Sequence, residues 1–299
     1  MKKRSLIAIS IIIFIILIIS IVLLNRNKKT IQEDNKFKIV TSFHPIYVMA
    51  LNLGNGAENI EIVNMTENHA GCLHNHTLST SDMKKIENAD VFIQNGLNLE
   101  EFMEDVLEKY PNLKVIDSSE NITNTIKEEN EINPHIWTSI ENYKKQTQNI
   151  CNKLCEYNPE NEEIYKTNCN NYLKQINDVK QKYVDELQKL KGKKAIVLNE
   201  ALTYLAKELQ MDVIQIKTDH EESTMSAETL KNLIEKMKNE NINIIFVSKE
   251  EENKNALTIS NETNSKIYEL ETGLTGEEKV DSYLKVLNNN LEVLKSINN

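Results

Sequence analysis

The feature that most limits how this chain can fold is an unbroken helical stretch at residues 160–190, free of Gly and Pro, between two runs of alternating strand and helix. At 1.5 Å per residue it would extend about 45 Å, too long for an ordinary crossover within one sheet. Before it, strands are predicted at 37–43, 60–65, 90–94 and 114–116, with helices at 46–53, 81–88, 99–109 and 139–156. After it, strands at 194–198, 213–216, 242–247 and 266–270 alternate with helices at 202–209, 226–239, 252–261 and 280–297. Strands separated by helices pair in parallel, because parallel neighbours need a crossover. The expected fold class is therefore α/β: two lobes, each a parallel sheet flanked by helices, joined by one long spine helix. The corresponding divisions are 37–157, a linking helix at 158–191, and 192–299. Residues 118–133 are polar and acidic without apolar period and read as a surface loop.

The first 36 residues stand apart from this pattern. Residues 6–24 form an Ile-rich run interrupted only by Ser10 and Ser20, close to the roughly 20 residues that cross a bilayer. A cleaved secretion signal has a shorter apolar core of about 7–15 residues, so residues 1–25 read as an uncleaved membrane anchor and 26–36 as a polar tether. The first Cys is Cys72, which argues against a lipid attached just after the apolar run. The formal charge of -10 argues against a nucleic-acid partner, which would need clustered Lys and Arg. The remaining cysteines are Cys151, Cys155 and Cys169. Cys169 lies across a turn from Cys151, which leaves open either a disulfide or small buried apolar residues.

Small ligands bind between lobes and outside the carboxyl ends of parallel strands. His44, His74, His135 and His220 fall at such loop positions. Imidazole suits zinc and its neighbours, and a carboxylate can complete a four-coordinate site.

Several motifs occur in a fixed order. Ser42-Phe43-His44-Pro45-Ile46-Tyr47 is similar to S-F-Y-P-x-Y, and residues 71–82, with His74 and Asp82, are similar to G-x-x-P-H-x-Y-E-P-T-x-x-D. Residues 90–96 end on Asn95-Gly96, and Asn133-Pro134-His135-Ile136-Trp137 is similar to D-P-H-x-W. Glu200, Ala201 and Tyr204 match part of H-x-A-F-x-Y-x-A, and the segment 268–272 follows the last strand. In these landmarks, over residues 38–297, the chain resembles the metal-binding receptors of zinc and manganese ABC importers.

The resemblance implies a receptor on the outer face of the cytoplasmic membrane. It would hold its cargo, zinc or manganese, between the lobes and deliver it to an ABC importer permease. The receptor is expected to be a monomer, to hold no cofactor and to catalyse no reaction. His74 and His135 fall at the first two ligand positions and Glu271 at the fourth. The third falls on Asn199 where the family carries His or Glu, so Glu200, His76 and His220 remain alternatives. His44 and Trp137 are expected to pack rather than bind. Competing readings are a surface adhesin on the same fold, a member that has lost its metal, and a metallohydrolase with Glu200 as base. The last lacks an HExxH-type helix.

Overall fold

Short runs of β-branched and aromatic residues, apolar on both faces, suit strands covered by helices on both sides of a sheet. Ile244–Ser248, buried at every position, is such a strand. The computed structural model describes residues 36–66, 73, 76–128, 131–216 and 225–297, together with Ile18 and Ser20. The N-terminal lobe has β1 (Phe37–Thr41), β2 (Ile60–Asn64), β3 (Val91–Gln94) and β4 (Lys114–Asp117), a parallel sheet ordered β2-β1-β3-β4. Its helices are α1 (His44–Gly54), α2 (Thr80–Ile86), α3 (Glu104–Lys109) and α4 (Ile140–Tyr157). After the spine, α5 (Glu162–Leu187), the second lobe repeats the plan. β7 (Lys194–Val197), β8 (Asp212–Gln215), β9 (Ile244–Ser248) and β10 (Lys266–Leu270) form a parallel sheet ordered β10-β9-β7-β8. Helices α6 (Thr203–Glu208), α7 (Ala227–Glu240), α8 (Lys254–Thr263) and α9 (Ser282–Lys295) cover it.

The spine is 26 residues long, flanked by single 3-10 turns at Pro159–Asn161 and Gln188–Leu190. Its buried residues are Tyr165, Cys169, Tyr172, Ile176, Val179, Tyr183 and Leu187. They recur every three or four positions, which puts them on one stripe of a helix. That stripe runs through a core continuous across both lobes, from Ile39 and Phe43 to Leu291 and Leu294. Tyr172 and Tyr143 of α4 share a hydrogen bond of 2.9 Å, and the Tyr183 hydroxyl donates to Leu287 O at 2.7 Å. Tyr143 in turn stacks on Tyr283 of α9, with ring centroids 3.4 Å apart. The lobes are thus stitched by side chains as well as by the chain.

Residues 118–133 depart from the expected open surface loop. Ile122 and Ile126, four residues apart, are buried with Ile136 and Tyr204. A short antiparallel ladder, β5 (Lys127–Glu128) with β6 (Glu131–Ile132), closes the excursion. The amide of Ile126 donates to the Tyr204 hydroxyl at 2.9 Å, so the segment is pinned to the other lobe. The cysteines follow the bland alternative: Cys151, Cys155 and Cys169 are free thiols. Cys151 donates to Tyr165 O at 3.5 Å, and its hydrogen bond with Cys169, followed by burial, raises its pKa. Among the described residues no helix is long and apolar enough to cross a membrane. The expected anchor at 6–24 lies outside them except for Ile18 and Ser20.

Candidate metal site

Each sheet changes winding direction once, between β1 and β3 in the first lobe and between β7 and β9 in the second. Loops leaving neighbouring strands diverge at such points and open a crevice, the usual ligand position in α/β sheets. The β7 loop carries Asn199 and Glu200, and the β9 loop carries Glu250 and Glu251. His135 reaches the seam from the first lobe, between β6 and the 3-10 turn Ile136–Thr138.

His135 is 6% exposed, and its ring is tilted against Trp137 with centroids 5.1 Å apart. Asn133 Oδ1 accepts from the His135 amide at 3.0 Å and lies 2.9 Å from its Nδ1. An oxygen that already accepts from an amide can only accept from the ring as well, so Nδ1 carries the hydrogen and Nε2 the lone pair. The other end of the same amide confirms the orientation, because Asn133 Nδ2 donates to Glu200 O at 3.1 Å. A ring held this way, with one nitrogen donating to a fixed acceptor, is the form in which histidine binds metals.

The lobes are held together around this residue. Tyr204 donates to Asn133 O at 2.7 Å, Thr138 Oγ1 donates to Ala201 O, and Trp137 Nε1 donates to Thr272 O at 3.0 Å. Ser139 Oγ donates to Glu208 Oε2 at 2.6 Å while accepting from Asn142 N to cap α4. Trp137 therefore packs in the seam, as its position suggested. His44 is buried there too, with its ring nitrogens 3.0 Å and 3.1 Å from Gly273 O and Glu277 O.

The other sequence candidates divide sharply. Glu200 is drawn to His135, with its Oε1 3.8 Å from Nδ1 and its side chain 20% exposed. Asn199 acts as a local cap: Oδ1 accepts from Ala201 N at 3.0 Å, and Nδ2 donates to Glu251 at 3.0 Å. His76 lies 3.3 Å from Asp82 Oδ2, both side chains nearly buried. Burial alone would raise the Asp82 carboxyl, but the amide and hydroxyl of Ser79, both at 2.8 Å, and His76 hold it below its usual range. Glu271 lines a groove of about 780 Å³ beside β10, where Lys249 Nζ binds its carboxylate at 2.7 Å and Asn289 at 3.2 Å. His74 lies outside the described residues, as do His69, His220 and Cys72. Among the described residues, no three His, Cys, Asp or Glu side chains form a group able to hold a metal ion. The orienting role of Asn133 has one signal in the sequence, its place two residues before the histidine in the Asn-Pro-His-Ile-Trp motif. Glu251, the partner of Asn199, offered none.

A family model described as zinc-uptake complex component A, periplasmic, matches residues 39–297. The chain is 25% identical over 296 residues to the manganese-binding lipoprotein MntA of Halalkalibacterium halodurans, covering 95% of this chain and 96% of that one. It is 25% identical over 287 residues to the high-affinity zinc uptake system protein ZnuA of Bacillus subtilis, covering 88% of each. In fold it is similar to a solved structure of the SBP FpvC of Pseudomonas aeruginosa in complex with Mn2+. There the TM-score is 0.78 and the identity 22%, over 87% of this chain and 97% of the other.

Proposed function

Because the chain belongs to the zinc-uptake complex component A family, we propose that it is an extracytoplasmic receptor that takes up zinc or manganese between its lobes and passes it to an ABC permease. The observation that carries this reading is the buried His135 ring, oriented by Asn133 so that Nε2 keeps its lone pair, with the Glu200 carboxylate of the opposite lobe 3.8 Å from its Nδ1 edge. An imidazole and a carboxylate brought from two lobes are suitable first contacts for either cation. We assign the first ligand position to His74. The third goes to Glu200 rather than Asn199, whose amide is engaged at both ends. Glu271 takes the fourth place only by leaving Lys249, and His76, paired with Asp82, is an alternative to Glu200 for the third.

The cycle needs reversible coordination and no broken bond. Protons compete with the metal for imidazole and carboxylate, so acid favours release. Lobes 37–157 and 192–299, joined through 158–191, share one core and a hydrogen-bonded seam, which favours small adjustments over wide hinge opening. Residues 6–24 are assigned to membrane attachment, since the first Cys is Cys72. The metal-based names of the two relatives favour capture over adhesion.

Calorimetric titration of residues 36–299 with zinc and with manganese tests the assignment. Sub-micromolar binding that His135→Ala abolishes is the expected result. Failure to bind either ion below micromolar concentration would sink it.

A further inference from the structure

Behind the His135 turn lies a buried carboxyl that the receptor reading does not use. Glu100 is 5% exposed. Its two oxygens accept from consecutive backbone amides at the carboxyl end of β3, Asn95 N at 2.7 Å and Gly96 N at 3.1 Å. Asn95 carries the connection onward. Its Nδ2 donates to Pro134 O, the residue before His135, at 3.0 Å, and to Gly96 O at 2.9 Å. Its Oδ1 accepts from Gln146 Nε2 at 2.9 Å, and the same Gln146 nitrogen donates to Ser118 Oγ at 2.8 Å. Asn95 is fully buried, so its amide has no solvent to turn to.

The turn is built tightly. Gly96 has φ +87, and a Cβ there would meet Asp117 Oδ1 at 2.0 Å and Ser119 Oγ at 2.5 Å. The groups facing Glu100 can be named by element. From β3 come the two amides. From the end of β1 comes the Ser42 hydroxyl, buried beside the carboxylate without a well-formed hydrogen bond of its own. From β4 comes Asp117, the charged neighbour.

We infer that Glu100 is a positioning residue for the His135 turn, so that ionisation of its carboxyl and metal capture between the lobes promote each other. The inference rests on the receptor reading. An ionised carboxylate binds both amides with charge-assisted hydrogen bonds, whereas the protonated acid has one good acceptor oxygen for two donors. The grip on Asn95, and through it on Pro134, is therefore firmest when Glu100 is charged. A divalent cation in the seam also favours the charged form. Coupling of this kind is reciprocal: the metal must draw the proton off Glu100 to the same extent that the charge favours the metal. Burial, and then Asp117, push this carboxyl up to about 7 against the two amide hydrogen bonds and the nearby Ser42 hydroxyl, which lower it, so the switch lies within the working pH range.

The test uses the full chain in detergent and zinc chloride as the probe. Zinc affinity is measured by chelator competition at pH 5.5 and pH 8 for the parent and for Glu100→Gln. Histidine protonation is common to both and cancels in their ratio. The expected ratio is near unity at pH 5.5 and about 5-fold to 10-fold weaker binding in the variant at pH 8. A second measurement needs no variant. In the parent at pH 6.5, adding zinc should shrink a protonated-carboxyl band in the infrared difference spectrum by roughly half to two-thirds. A ratio that is the same at both pH values, or a carboxyl band unmoved by zinc, overturns the coupling while leaving the receptor reading in place. Absence of zinc binding at either pH removes both.

Discussion

Replacing Glu100 with Gln also tests the burial argument without any metal. The carboxyl rises from its ordinary 4.5 to about 7, chiefly because folding removes it from water. Since the folded value lies above the unfolded one, this group contributes stability that is fully present below about pH 4.5 and is lost as the pH climbs through 7. At about 1.36 kcal/mol per tenfold step, the loss between pH 4.5 and pH 8 is about 3 kcal/mol. That is a large share of the roughly 5–15 kcal/mol that holds a domain together. Glu100→Gln stays neutral throughout. It keeps one acceptor for the Asn95 or Gly96 amide but sets an NH2 against the other, a constant penalty of about 1–3 kcal/mol. The informative quantity is therefore the change with pH in the stability difference between variant and parent. Urea unfolding of the metal-free protein at half-unit steps from pH 4.5 to pH 8 should show the variant gaining about 3 kcal/mol on the parent, nearly all of it between pH 4.5 and pH 7, with a plateau above 7. A difference constant to within about 0.5 kcal/mol would mean that Glu100 stays solvated or ionised in the fold, and the reasoning would fail.

Three further outcomes are expected. In zinc titrations Glu200→Ala should weaken binding by more than about tenfold and Asn199→Ala by far less; the reverse order would return the third ligand position to Asn199. Tyr183→Phe removes the donor to Leu287 O and should lower stability by about 1 kcal/mol in urea unfolding. An unchanged midpoint would show that the spine is held to α9 by packing alone. Ser139→Ala loses the α4 cap and a donor to Glu208, which burial already pushes upward. A drop of about 1–2 kcal/mol is expected, and it should shrink as the pH falls and Glu208 takes up a proton; a drop that grows in acid would contradict the role given to that bond.

How far the sequence reached depended on how local each signal was. The stripe from Tyr165 to Leu187 could be anticipated as a helix because its period is written in a few turns of chain. His135 stood out because proline, histidine and tryptophan are contiguous. The choice between Asn199 and Glu200 was different. They are neighbours at the start of a 3-10 turn, and nothing in their spacing says which one faces the opposite lobe. Their surroundings come from distant parts of the chain: the Glu200 carboxylate lies beside His135, and Glu251 binds the Asn199 amide across 52 residues. Residues 118–133 differ from the expected surface loop for a related reason: two isoleucines among polar neighbours have no period, and they become core only when Tyr204 arrives from the second lobe.

The sequence by itself determined the α/β class, the pair of parallel sheets and the spine, because hydrophobic period and helix length act over adjacent residues. Tertiary structure alone decided which nitrogen of His135 keeps its lone pair, which acidic residue lies beside it, and that Glu100 is deep enough to titrate near neutrality. These depend on dielectric and on hydrogen-bond partners brought together from distant parts of the chain.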